Sequence, residues 1–261
     1  ASLAALTVQV NTLEVNKLPR GYIDGLILSN NAGDAVNDID VSPGAVRDST
    51  NAFDLRLPST LTKRLDANFV TGTDQGGLDT GVIANAWYHV WLIRKDSDGS
   101  ADVLFSLSVS APTMPSGYTA KRIIGSIVRP AGAIRLFVQN GDHIRWKTSV
   151  QNISGSTSVS RVLLGVTVPA GIKALAHLTV VAVTGATESL QATVTDPDVT
   201  DVAVDATNFD ITSSDTSGFQ AGGYVQARTN TTEQIAIRFG IAARTYVVVT
   251  HGYDHPRGRN A

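Results

Sequence analysis

Apolar residues along this chain recur mostly at every second position, in short runs. Ile235, Ile237 and Phe239 alternate with polar or small residues, and Leu190, Ala192 and Val194 do the same. Period two is the mark of a strand with one buried face. The pattern predicts strands at Tyr22–Ser29, Phe53–Leu57, Ala86–Arg94, Ala101–Ser108, Lys121–Val128, Ala133–Gln139 and His143–Val150. It predicts more at Arg161–Val168, Ala174–Val183, Ser189–Thr195, Gly223–Arg228, Glu233–Phe239 and Thr245–Thr250. Asp98–Gly99 and Asn140–Gly141 are hairpin dipeptides between them. Ser59–Asn68, after Pro58, reads as one short helix.

The punctuation suggests two domains. Gln151–Ser158, centred on Ser154–Gly155–Ser156, has a linker's small polar residues. The expected organisation is an N-terminal arm at 1–19, a first β-sandwich at 20–150, a linker at 151–158 and a second β-sandwich at 159–261. The class is all-β, with two antiparallel sandwich or jelly-roll-like domains. In the arm, Leu6, Val8 and Val10 alternate, and Leu13 and Val15 follow, which predicts a strand in need of a partner. That partner is either a neighbouring subunit or the arm's own first domain.

Composition narrows the function classes. Charged residues are 17% and the net charge is −2, so no basic field attracts nucleic acid. With no cysteine, thiolate catalysis and cysteine-based metal centres are excluded. No apolar run reaches the roughly 20 residues of a membrane-spanning helix. Ala1–Leu6 lacks the charged start and long apolar stretch of a secretory leader, so a soluble protein without an export signal is expected.

Few constellations suggest chemistry. His251 and His255 have the spacing of two zinc ligands on a helix, but Gly252 and Pro256 favour a polar turn. Trp87, His89 and Trp91 share one face of a strand and are the candidate glycan contacts; the competing reading is a buried core stripe. Asp34, Asn37, Asp38 and Asp40 cluster in one loop, and Asp196, Asp198, Asp201 and Asp205 in another. Neither has the spacing of a calcium loop, and both suit ordinary turns. Nucleophile-elbow, phosphate-loop and dinucleotide motifs are lacking. Glu14, Glu188 and Glu233 are the only glutamates, which limits a glutamate-based glycosidase pair. No catalytic residue, metal or cofactor is expected.

Several segments together resemble a family of tailed-bacteriophage proteins. They are Gly25–Asn31, Asn37–Val41, Leu61–Ala67, Gln75–Gly81, Trp87–Ile93, Asp102–Ser106 and Ala111–Pro115, and the likeness ends near Arg122–Ser126. It covers about the first 130 residues; the second half, closing on Thr250–Arg259, is similar to modules found beside such proteins. The resemblance implies a virion component; the lack of cysteine suits assembly in a bacterial cytoplasm, and no enzymatic activity is expected. The first expectation is a fibre- or spike-like attachment protein of head or tail, a homotrimer contacting other virion proteins and a host surface glycan. The alternatives are a capsid decoration protein, a stand-alone carbohydrate-binding module and a glycan-cleaving tailspike. The family supplies no catalytic residues to transfer.

Overall fold

The computed structural model describes residues 17–183, 188–215 and 220–259, and among them it contains strands and no helix. The five apolar positions of the expected arm, Leu6 to Val15, lie outside the described residues. The first strands are β1 (Ile23–Gly25), β2 (Leu28–Asn30), β3 (Asp38–Val41), β4 (Gly44–Arg47), β5 (Asp54–Leu57), β6 (Leu61–Asn68), β7 (Gln75–Leu78), β8 (Trp87–Lys95), β9 (Ala101–Ser106) and β10 (Tyr118–Val128). Then come β11 (Phe137–Asn140), β12 (His143–Ser156), β13 (Val162–Gly165), β14 (Leu175–Val183), β15 (Glu188–Thr195), β16 (Ile211–Asp215), β17 (Gln220–Arg228), β18 (Gln234–Phe239) and β19 (Thr245–Asp254).

The chain divides into two compact units. Residues 17–84, 88–125 and 257–259 make the first; 85–87 and 126–256 make the second. The boundary therefore falls near 125, not at the expected linker. Residues 151–156 are the second half of β12, paired with β19 from Gln151↔Val249 to Ser156↔Thr245. Small polar residues suit an exposed stretch of strand as well as a linker, because a ladder of backbone hydrogen bonds needs no particular side chain.

The first unit holds a three-stranded sheet, β1-β4-β5, and a seven-stranded sheet, β10-β8-β9-β7-β6-β3-β2. The single strand expected over Tyr22–Ser29 is split between them. Gly25 and Leu26 both have positive φ, and a Cβ on Gly25 would stand 2.2 Å from the Pro43 carbonyl oxygen. Only glycine fits there, and the paired left-handed residues let the chain leave one sheet for the other. The sheet is not wholly antiparallel, since β7 runs parallel to both β6 and β9.

The helix expected over Ser59–Asn68 is instead β6. Leu61, Lys63 and Leu65 are buried at alternate positions while Arg64 and Asp66 face outward. Pairing to β3, with Asp38 opposite Arg64 and Val41 opposite Leu61, overrides the weak local helical preference.

The second unit pairs a five-stranded sheet, β11-β12-β19-β14-β17, with a four-stranded sheet, β13-β18-β15-β16. Their apolar faces form its core. Leu178, Val180, Val225 and Val248 come from one sheet, and Leu190, Val194, Ile235 and Ile237 from the other. Phe239 and Tyr246 meet across the gap with ring centroids 4.9 Å apart. The opposite face of the five-stranded sheet carries the polar cluster described next.

Candidate functional site

Two of the three residues of the aromatic row on β8 are shut away from solvent. Trp91 is 3% exposed and His89 2%. The Lys121 ammonium stands 5.7 Å from the Trp91 ring centroid. Burial holds the His89 imidazole down at about 4, so it is neutral at neutral pH. Trp87, half-buried, packs within the second unit against Trp146 and Tyr253, each at 6.0 Å between centroids. His89 and Trp91 are thus packing residues of the first unit, whereas Trp87 packs half-buried in the second.

The acidic loops are mostly engaged in local structure. Asp34 accepts the backbone N–H groups of Val36 and Asn37. Asp40 accepts from the Asn31 amide and the Thr62 hydroxyl. Asp38 differs: burial, then the nearby Asp34 and Asp66, raise its carboxyl to about 6. In the other loop Asp196 accepts the Arg228 N–H, Asp198 pairs with Lys173, and Asp201 with Arg238. Asp205 caps the turn through Thr207 and Asn208.

His251 and His255 are separated in their contacts. The His255 imidazole Nε2 lies 2.9 Å from the buried Ser126 hydroxyl. His251 instead sits on the outer face of the five-stranded sheet, between the hydroxyls of Ser149 and Thr179, each at 2.7 Å. The segment is therefore strand, not the polar turn expected: β19 continues to Asp254.

A β-bulge explains how this face acquires its side chains. Leu178 and Val150 both pair with Thr250, whereas His177 and Arg145 both pair with Gly252. His251 is thus the extra residue against β14, whereas against β12 the four residues 146–149 stand in the interval that His251 alone spans. The insertion reverses the alternation, so His251 and Asp254, three apart, can both face outward. Gly252 is required at the bulge, since a Cβ there would be 2.1 Å from the Ile144 carbonyl oxygen.

The register brings three distant residues together. His143 on β12 lies directly across from Asp254, and His177 on β14 is two positions from Leu175, which also faces Asp254. His143 Nδ1 is 2.8 Å from Asp254 Oδ1. His177 Nε2 is 3.1 Å from the same oxygen but outside hydrogen-bonding angles, so that contact is electrostatic. The two imidazoles meet edge to face at 4.6 Å. Burial lowers the His177 pKa against the opposing pull of Asp254. On β17, the Tyr224 hydroxyl and the Gln226 amide both reach His177 Nδ1. Tyr224 also stacks on His251 at 6.1 Å and 27°.

Among the described residues, His143, His177 and Asp254 are the one group of three histidine or acidic side chains whose ligand atoms lie within 4.8 Å of one another. Two imidazole nitrogens and a carboxylate oxygen form a donor set suited to zinc-class ions. Sequence reading missed all three, because residues 143, 177 and 254 share no motif and meet only through strand register. The one usable signal was Gly252 among strand-forming residues, a mark of a bulge.

No protein-family model matches the chain, and no curated protein does either.

Proposed function

We propose that this chain is a structural component of a bacteriophage virion, a fibre- or spike-like attachment protein of head or tail that works as a homotrimer without catalysing a reaction. The sequence likeness over the first 130 or so residues suggests the setting. The observation that carries the structural role is how residues near 257 are fastened. Arg257 is 2% exposed; its Nε donates to the Ile124 carbonyl at 2.8 Å, and its Nη2 to those of Gly25 and Leu26 at 2.9 and 2.7 Å. The Arg257 carbonyl in turn accepts from Arg122 Nε at 3.0 Å. A guanidinium is a rigid multi-donor fork, so one side chain ties residues more than 200 positions apart in sequence. Such a tie resists unravelling of a strand-built module under load, which an appendage meets when a particle engages a cell.

Quantitative mass spectrometry of purified virions tests the reading. The expected result is this chain present at a copy number divisible by three; its absence from washed particles would overturn the proposal.

A further inference from the structure

We propose that His143, His177 and Asp254 bind a divalent first-row transition ion of the zinc class on the outer face of the five-stranded sheet. The inference stands on side chains of the second unit alone and holds whether or not the chain belongs to a virion.

Ligand type comes first. Neutral imidazole and carboxylate together favour zinc and its neighbours in the first transition row, whereas calcium and magnesium need more oxygen ligands than this cluster offers. Spacing agrees. Atoms bound about 2.1 Å from one ion, at angles of roughly 90° to 110°, stand about 3.0–3.4 Å from each other. The observed separations from Asp254 Oδ1 are 2.8 Å to His143 Nδ1 and 3.1 Å to His177 Nε2. Small side-chain rotations suffice to admit an ion.

The misaligned contact is informative. A histidine placed only to hydrogen-bond Asp254 would point an N–H at the carboxylate. His177 Nε2 lies 3.1 Å from it without that alignment, so a direct hydrogen bond does not close the gap between the two.

An outer shell is already in place. Metal-bound histidines usually hydrogen-bond through the second ring nitrogen, which fixes ring orientation. The Tyr224 hydroxyl and the Gln226 amide both stand at His177 Nδ1 and fix the ring's orientation, the hydroxyl accepting a proton held there once Nε2 is given to an ion. Entry is open as well: the side chains of His143 and Asp254 are each 38% exposed, while His177 is buried and anchors the site.

The test is a titration of the full chain with cobalt(II), followed by visible absorption, with zinc displacement read by calorimetry. The expected result is saturation at one ion per chain and displacement by zinc, with no competition from millimolar calcium or magnesium. His143→Gln and Asp254→Asn should each weaken binding at least tenfold. Tyr224→Phe should weaken it by about tenfold while circular dichroism stays unchanged. Should His177→Gln fail to fold, the half-exposed His143 variant carries the test. Absence of a saturable cobalt signal in the unaltered chain, or binding that survives both His143→Gln and Asp254→Asn, would overturn the proposal.

Discussion

Lys63 Nζ stands 2.9 Å from Asp102 Oδ1, with both side chains shut away from solvent inside the first unit. The ammonium also donates to the carbonyl of Val70 at 2.6 Å and lies 4.6 Å from the Phe69 ring centroid. Asp102 accepts the N–H groups of Gly72 and Val103. Burial drives the lysine pKa down against the pull of Asp102, yet the pair is fully hydrogen-bonded. Removing one partner should therefore cost far more than removing both. Lys63→Met is expected to destabilise by about 3–5 kcal/mol, and Lys63→Met with Asp102→Leu by clearly less. Urea unfolding midpoints at constant slope measure the difference.

His89 should make the protein acid-sensitive. Its folded pKa of about 4 lies below the ordinary 6.5, so the unfolded chain binds the proton more tightly. Stability is then unaffected above pH 6.5, falls as pH drops from 6.5 to 4, and levels below that. The full loss is about 3 kcal/mol. Chemical denaturation at a series of pH values should show this slope, and His89→Gln should flatten it.

Trp91→Ala is expected to cost about 3–5 kcal/mol, because a buried indole is lost and a cavity is left behind. Trp87→Ala should cost less, since that side chain is half-buried. Calorimetric melting of both variants decides the matter; a Trp91→Ala protein with an unchanged melting temperature would return the row to the surface.

Arg257→Leu should remove at least about 2 kcal/mol, because three carbonyls, two of them in buried contacts, lose a charged donor. Amide exchange at Leu26 and Ile124 should quicken in the variant, showing that residues near 257 fasten the first unit.

Period-two alternation made the all-β class and most strands of the second unit legible, and Asp98–Gly99 and Asn140–Gly141 do link β8 to β9 and β11 to β12. Short or polar strands were harder. The Gln75–Leu78 strand contains two glycines, and the Asp38–Val41 strand two aspartates, so neither shows the usual composition. Leu61–Asn68 misled because its lysine is core: Lys63 occupies a buried position by pairing with Asp102, and read as polar it hides the alternation. The cluster around Asp254 was illegible for a different reason. Its members come from separate strands, and the registers that bring them to Asp254 include a one-residue bulge at His251 against β14 and a longer irregularity at residues 146–149 of β12.

Backbone protection tests the unit boundary. Amides in the β12 half of residues 151–156 that bond to β19 should exchange slowly, and limited proteolysis should make its first cut elsewhere. Prompt cleavage between 151 and 156 would restore the linker.

A residue-resolution density map of the intact particle tests the proposed virion role. The expected density shows three copies of this chain around one axis on the head or tail, with Arg257 resolved against Gly25, Leu26 and Ile124. A complete, infectious particle mapped at that resolution with no density for this chain would contradict that role.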